Sequence, residues 1–324
     1  PFAEDPVEAE ENPTAQIVRE GCRFLQDAPE APFLLWLSIP DPHPPYMVAE
    51  PWASLYAKTE MPPPVWREGE TANKPFRQQL IVEWDRYGKE YPADQILRLK
   101  QLYWGMVSCI DEHVGRLLKM LEDTGRKDDT LVVYTSDHGD YMGDHRMIRK
   151  GVNLYDALVH VPLIVWGGGV HARQTDAMVA NLDILPTLAD LAGLPLPEGV
   201  QGESFAPVLQ GTRDAHRDSV FLEHGDPGEV LQPGDLTEDV YAELADSKGH
   251  HLCKTISRGR VKGERTDRWK YCVTPGDVDE LYDLARDPHE LDNLAADPQH
   301  AEVIQDLQRR LLAWEIATEE TRAL

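Results

Sequence analysis

The residues with the clearest chemical potential are Asp137 and His138, which follow the short apolar segment 131–134. A buried strand that ends here would place both side chains at its carboxyl end, where open α/β sheets bind their ligands. Gly139 permits a tight turn, so the carboxylate and the imidazole can both face one cation. The sequence therefore predicts that Asp137 and His138 are metal ligands. The structural alternative is that Asp137 only caps a following helix.

Two further polar residues, His43 and Lys150, lie in comparable positions. His43 follows an apolar segment and lies among prolines, which lower the entropic cost of holding a side chain in place. Lys150 precedes Gly151, and a lysine beside a bound oxyanion would neutralise its charge. A turn histidine and a solvated lysine are the structural alternatives for these two residues. Asp144 and His145 are candidates for supporting positions behind the site.

Apolar segments alternate with helical patterns along the first two thirds of the chain. Segments that suit buried strands cover residues 33–39, 131–135 and 161–166, and helical patterns cover residues 14–26, 94–123 and 182–192. This order predicts an α/β domain with a mostly parallel sheet flanked by helices.

The remaining segments have a different character. Residues 47–92 are rich in Pro and aromatics, which predicts a long surface excursion. We expect this segment and the acidic segment 223–251 to shape the substrate pocket together. Residues 258–284 predict a small antiparallel sheet, and residues 299–317 predict a closing amphipathic helix. We therefore expect a catalytic α/β domain over residues 1–215 and a C-terminal subdomain over residues 216–324.

Composition excludes several classes of function. The net charge of −25 would repel nucleic acid and anionic membranes. The sequence has no run of about 18 apolar residues that could span a membrane. The cysteines, Cys22, Cys109, Cys253 and Cys272, are too scattered for a disulfide framework, and the surroundings of Cys22 and Cys109 suit buried thiols. The compartment and the oligomeric state stay open.

Several motifs in a fixed order resemble the sulfatase family of the alkaline-phosphatase-like superfamily. In chain order they are residues 38–46, 110–118, 135–140, 143–145, 150–151, 161–165, 183–188, 268–271 and 281–284. The resemblance runs from about residue 14 to residue 297. It implies an alkaline-phosphatase-like fold and hydrolysis of a sulfate monoester, either of a small molecule or of a carbohydrate. By this resemblance Asp137 and His138 match metal ligands, and His43 and Lys150 match catalytic residues that bind sulfate.

The resemblance also implies cofactors. Sulfatases use a formylglycine made from Cys or Ser in C/S-x-P-x-R, together with one divalent metal ion. No Cys or Ser of this chain lies in that motif, and the family's first pair of aspartate ligands has no match. Because the chain also lacks an initial Met, we expect a fragment that is inactive alone, from a parent protein with the formylglycine upstream. The carboxylate oxygen of Asp137 favours Ca²⁺ or Mg²⁺ as the metal, with Ca²⁺ first, whereas the imidazole of His138 favours Mn²⁺ or Zn²⁺.

Two other functions remain open at this point. Many sulfatases have Asn where this chain has His138, and histidine there resembles the phosphonate monoester hydrolase and choline sulfatase branches. Hydrolysis of a phosphonate or phosphate ester is therefore the nearest alternative chemistry. A non-catalytic relic that binds sulfated ligands is the second alternative, and the missing nucleophile motivates it.

Overall fold

The computed structural model describes residues 2–4, 8–27, 31–84, 91–240, 242 and 258–319. The chain divides into two compact units that are discontinuous in sequence. Unit 1 comprises Pro1–Pro64, Tyr87–Val133 and Ile164–Gly169, and unit 2 comprises Val65–Arg86, Tyr134–Leu163 and Val170–Leu324. The boundary expected between residues 215 and 216 stays a prediction. No helix in the described part of the chain is long and apolar enough to cross a membrane.

Unit 1 is built around the long helix α4, which the sequence predicted over residues 94–123. The helices of unit 1 are α1 (Pro13–Asp27), α2 (Trp52–Leu55) and α4 (Ala93–Asp123). Apolar side chains at three- and four-residue spacing form the buried stripe of α4: Ile96, Leu99, Leu102, Met106 and Ile110. Both α1 and α2 pack against α4. The predicted helix over residues 14–26 is thereby confirmed as α1.

Strands occupy the other parts of unit 1. Strand β1 (Phe2–Glu4) pairs in parallel with β2 (Tyr46–Val48). Strands β3 (Leu131–Thr135) and β4 (Leu163–Gly167) form a second two-stranded sheet, and the boundary between the units crosses both. The strands predicted over residues 131–135 and 161–166 are confirmed by β3 and β4.

The strand predicted over residues 33–39 is wrong in the described structure. This segment lies outside the assigned strands, and its exposure alternates from residue to residue. Leu37 packs beside Gly21 of α1, whereas Leu34 and Trp36 are 83% and 84% exposed. A continuous apolar run predicts burial on both faces, but only one face of this segment is packed.

The surface excursion predicted over residues 47–92 is only partly correct. The segment contains α2 and α3 (Phe76–Trp84) and contributes buried side chains such as Trp52, Leu80 and Ile81. Leu80 and Ile81 belong to a core cluster of unit 2. The segment therefore contributes helices and buried side chains, although its prolines and aromatics predicted a surface excursion.

Unit 2 contains a four-stranded antiparallel sheet, which confirms the predicted C-terminal sheet. Its strands, in spatial order, are β5 (Ser219–His224), β6 (Val261–Thr266), β7 (Trp269–Val273) and β8 (Glu280–Asp283). Besides α3, the described helices of unit 2 include α5 (Asp156–Val159), α6 (Ile184–Ala192) and α7 (Ala206–Leu209), and the closing helix α8 spans Ala301–Thr318. Leu307 of α8 packs against Tyr271 and Leu281 of the sheet. Residues 241 and 243–251 of the predicted acidic segment lie outside the described residues, as does Cys253.

A buried charged cluster anchors the segment that begins α5. The Lys270 side chain is fully buried, and its Nζ donates to the Leu154 carbonyl at 2.9 Å and lies 2.8 Å from Glu290 Oε1. It also pairs with Asp156, while the backbone N–H of Asp156 donates to Glu290 Oε2 at 2.6 Å. Burial disfavours the ammonium, but the charges of Glu290 and Asp156 outweigh it and raise the pKa of Lys270.

Candidate active site

The turn after β3 is fixed by short side-chain contacts to the main chain. Ser136 Oγ donates to the His138 carbonyl at 2.9 Å. Asn181 Nδ2 donates to the Ser136 carbonyl at 2.9 Å, and Thr135 Oγ1 donates to Asn181 Oδ1 at 3.1 Å. Sequence reasoning missed Asn181, whose only signal is its position just before α6.

Gly139 lets this turn lie directly on α5. Its N–H donates to the Leu158 carbonyl at 2.8 Å. A Cβ at this position would lie 2.0 Å from the Ala157 carbonyl oxygen, so a larger residue cannot fit without moving the main chain. The position of the turn therefore depends on a glycine and on α5 behind it.

Asp137, His138 and Lys150 come together at this turn. His138 Nδ1 lies 2.8 Å from the Gly139 carbonyl, so in the neutral ring this nitrogen carries the proton and Nε2 is the acceptor. Nε2 lies 3.5 Å from Asp137 Oδ2, and Lys150 Nζ approaches it at 3.0 Å. The Asp137 side chain is 84% exposed and that of His138 is 34% exposed. The roles assigned to these three residues stay predictions, but their proximity is observed.

The donor pair has the chemistry of two ligands to one cation. Two ligand atoms at right angles about a cation, each at a typical bond length, lie about 3–3.5 Å apart. The separation of 3.5 Å between His138 Nε2 and Asp137 Oδ2 fits that arrangement. The described residues contain no group of three or more His, Cys, Asp or Glu side chains placed to hold a metal. A complete site would therefore need ligands beyond this pair.

The loop that leads to Lys150 is tightly constrained. Asp140 Oδ1 accepts hydrogen bonds from the N–H groups of Met142 at 3.0 Å and Arg149 at 2.9 Å, and the Tyr141 N–H donates to the Arg149 carbonyl at 3.0 Å. Its non-glycine residues with a left-handed φ are Met142 (49°), His145 (54°), Arg146 (58°) and Arg149 (68°). Such residues are uncommon and persist only where contacts fix the backbone. Lys150 is therefore presented by a preorganised loop.

Asp144 and His145 brace this loop against residues 65–70. Asp144 Oδ1 accepts from the Val65 N–H and the His145 N–H donates to the Val65 carbonyl, both at 2.9 Å. The buried His145 ring lies 3.1 Å from Glu70 Oε1 and stacks on Tyr155 at 3.9 Å between ring centroids. Burial disfavours the Glu70 carboxylate, but His145 outweighs it and lowers the pKa of Glu70.

His224 is a second residue that sequence reasoning missed. It is the last residue of β5, and its half-buried imidazole lies near the main chain of Gly151, next to Lys150. The signal available in the sequence was a histidine before Gly225 at the end of an apolar segment, the kind of position that marked His138.

His43 belongs to unit 1, and its geometry is described there alone. The His43 N–H donates to the Pro40 carbonyl at 3.0 Å, and Nδ1 lies 2.7 Å from the Pro44 carbonyl. Thr14 Oγ1 donates to Asp41 Oδ2 at 2.5 Å in the same loop. The exposed ring therefore presents Nε2 from a braced loop, as the prolines predicted.

Comparison with known proteins gives consistent family matches. The family model described as Sulfatase matches residues 4–194, and the model described as N-sulphoglucosamine sulphohydrolase, C-terminal, matches residues 233–317. The Multifunctional alkaline phosphatase superfamily protein PehA of Trinickia caryophylli is 27% identical over 310 residues, which cover 91% of this chain and 57% of that protein. The Choline-sulfatase of Rhizobium meliloti (strain 1021) is 30% identical over 281 residues, which cover 86% of this chain and 49% of that protein.

Solved structures give the same result for the fold. The phosphonate monoester hydrolase of Agrobacterium radiobacter matches with a TM-score of 0.80 at 27% identity, over 98% of this chain and 63% of that one. This likeness confirms the predicted alkaline-phosphatase-like α/β fold. The chain spans about half the length of the two curated relatives.

Proposed function

This chain belongs to the sulfatase family, and we propose that the whole protein is a metal-dependent hydrolase of a sulfate monoester. The observation that carries the proposal is the convergence of Asp137, His138 and Lys150 at the end of β3. Two cation ligands beside an ammonium group form a site for an anion bound jointly by a metal ion and a lysine.

We assign Asp137 Oδ2 and His138 Nε2 as two ligands of a divalent cation. Bound there, the cation would offset the negative charge that builds on the transferring sulfate group. The hydrogen bond from His138 Nδ1 to the Gly139 carbonyl makes Nε2 the acceptor nitrogen of the neutral ring, as this role requires. We favour Ca²⁺, with Mg²⁺, Mn²⁺ and Zn²⁺ as the alternatives left open by one oxygen and one nitrogen donor.

Lys150 and His43 are the proposed substrate-binding and catalytic side chains. The Lys150 ammonium would bind a sulfate oxygen, and its preorganised loop lowers the cost of holding the charge in place. The His43 imidazole would bind a further sulfate oxygen and assist departure of the alcohol. The nucleophile in this family is a formylglycine, and none of these 324 residues lies in its motif. The activity is therefore proposed for the whole protein rather than for this chain alone.

Phosphonate or phosphate ester hydrolysis is the second candidate. It is favoured by the imidazole of His138 and by the likeness to a phosphonate monoester hydrolase. Sulfate and phosphonate monoesters both present a tetrahedral anion to the same cationic groups, so the site alone fits both. The C-terminal match to N-sulphoglucosamine sulphohydrolase makes sulfated sugars the first natural substrate class to test.

Paired assays of the purified whole protein on an aryl sulfate and an aryl phosphonate test the proposal. We expect the sulfate ester to have the higher kcat/KM. Asp137→Ala should abolish both divalent-ion binding and turnover, whereas Lys150→Ala should spare ion binding and lower kcat/KM at least about 100-fold. Asp128→Ala and Lys58→Ala, at exposed positions, are the matched controls. Full activity in either site variant would refute the assigned roles, and faster phosphonate turnover would favour the second candidate.

A further inference from the structure

The loop that presents His43 is attached to the first turn of α1. Thr14, the second residue of that helix, is fully buried, and its Oγ1 donates to Asp41 Oδ2 at 2.5 Å. Asp41 lies inside a turn that the His43 N–H closes by donating to the Pro40 carbonyl at 3.0 Å. Hydrogen bonds to an ionised carboxylate are among the stronger ones in proteins. The helix therefore holds this turn two residues before His43.

The first turn of α1 is itself fixed in unit 1. Asn12 Oδ1 accepts a hydrogen bond from the Ala15 N–H at 2.7 Å and so caps the helix. Asn12 Nδ2 donates to Cys109 Sγ of α4 at 3.6 Å, and both side chains are buried. The Asp41 carboxylate also lies at the positive end of the α1 dipole, which favours its negative charge. Thr14 therefore donates from a rigid position.

A second contact orients the His43 imidazole within the loop. Nδ1 lies 2.7 Å from the Pro44 carbonyl, which can only accept, so Nδ1 carries a proton and Nε2 is the acceptor of the neutral ring. This contact depends on the path of residues 43–44, which continues directly from the turn that Thr14 holds. A side chain on a loop needs such support to be placed as accurately as one on a helix or strand.

We propose that Thr14 is a positioning residue for His43 and acts through the hydrogen bond from its hydroxyl to Asp41. Thr14 is buried, and it takes no part in binding the ester or in breaking its bond. The kinetic consequence rests on the function proposed for His43, whereas the structural consequence, a fixed His43 ring, can be measured without it.

A double-mutant cycle tests the kinetic consequence. The variants are Thr14→Val, which removes the hydroxyl but keeps the branched shape, His43→Ala and the double variant, all in the whole protein. We expect Thr14→Val to lower kcat/KM for an aryl sulfate and the affinity for inorganic sulfate about tenfold when His43 is present, and less than about twofold when it is absent. Equal losses in both backgrounds would overturn the proposal, because Thr14 would then act independently of His43.

A conservative variant and a matched control distinguish positioning from general stability. Thr14→Ser retains the hydroxyl and should keep kcat/KM within about twofold of the wild-type value. Thr124 also belongs to unit 1, and its Oγ1 donates to the Met120 carbonyl at 2.8 Å, about 22 Å along α4 from Cys109. Thr124→Val should therefore leave kcat/KM unchanged. A lower melting temperature in Thr14→Val without a loss of kcat/KM would show a purely structural role and would overturn the proposal.

A spectroscopic measurement makes the result independent of catalysis. In the whole protein with ¹⁵N-labelled histidine, above about pH 8 where the imidazole is ordinarily neutral, the ring nitrogen shifts report which nitrogen carries the proton. The His43 signals are identified by their loss in His43→Ala. We expect a protonated Nδ1 in the wild-type protein and in Thr124→Val, and a mixture of both tautomers in Thr14→Val.

The spectrum also separates failure of this inference from failure of the proposed function. An unchanged tautomer in Thr14→Val would refute the anchor even if the wild-type protein proved inactive on every ester. An inactive protein in which the tautomer changes would refute the proposed function alone.

Discussion

Replacing Lys270 with methionine is predicted to destabilise unit 2 strongly. The Lys270 side chain has no exposed surface and lies between the carboxylates of Asp156 and Glu290. Methionine retains most of the volume of lysine but removes the charge and the donors. The Leu154 carbonyl would lose its donor, and Glu290, which is 2% exposed, would lose its counter-charge.

The magnitude follows from the burial of the partners. Removing one member of a buried ion pair typically costs about 3–5 kcal/mol, because the remaining charge is left without compensation. Asp156 keeps Arg265 at 3.1 Å, whereas the Glu290 carboxylate keeps the Asp156 N–H but no ion pair among the described residues. We therefore expect a loss of about 3–5 kcal/mol in the free energy of unfolding. Because α5 carries the Leu158 carbonyl that holds Gly139, the site turn should loosen as well.

Lys262 provides a matched control on the neighbouring strand. It also lies between two carboxylates, Glu223 at 3.6 Å and Glu315 at 2.8 Å, but its side chain is 25% exposed. Lys262→Met should therefore cost no more than about 1 kcal/mol. Urea denaturation at pH 7, followed by tryptophan fluorescence, measures both variants. Similar losses in the two variants, or a loss below about 1 kcal/mol for Lys270→Met, would refute the reasoning.

Two further substitutions test contacts around the site. Gly139→Ala should lower stability by about 1–3 kcal/mol, because its Cβ would lie 2.0 Å from the Ala157 carbonyl oxygen. Gly115 lies inside α4, and a Cβ added there would have no atom within 4 Å, so Gly115→Ala should stabilise the protein by about 0.5–1 kcal/mol. Thermal unfolding compares the two, and equal effects would contradict the steric argument. The pKa of Glu70 is lowered from its ordinary value of 4.5, since His145 outweighs burial. The stability that Glu70 contributes is therefore complete above pH 4.5 and lost as the pH falls below it toward the folded-state pKa. Glu70→Gln should show a shallower loss of stability over that range, and an unchanged pH profile would exclude the contribution.

The spacing of apolar residues was sufficient to predict the long helices of the fold. The stripe of α4 repeats every three or four residues, and a helix of that length presents one continuous apolar face. The segment 33–39 shows the limit of the same logic. A run of apolar residues predicts an extended chain, but it does not show how many of its faces are covered. The exposure of Leu34 and Trp36 could therefore not be predicted from composition.

The residues of the candidate site also differ in whether the sequence could predict them. Asp137, His138 and Lys150 lie within one short stretch of sequence, so a motif was enough to group them. Asn181 reaches the same turn from 45 residues away, and His224 comes near Gly151 from strand β5. Contacts between distant segments depend on the fold, and a single sequence carries no direct record of them.

The approach of Lys150 to His138 has a consequence for the order of events at the site. The Nε2 atom of a neutral imidazole has one lone pair, which accepts the lysine proton at 3.0 Å. The same electrons cannot be shared with a cation, so in the role proposed for His138 the Lys150 ammonium and a cation would compete for Nε2. A cation held by Asp137 and His138 would therefore leave the Lys150 ammonium available to contact an anionic ester, which would couple ester binding to ion binding.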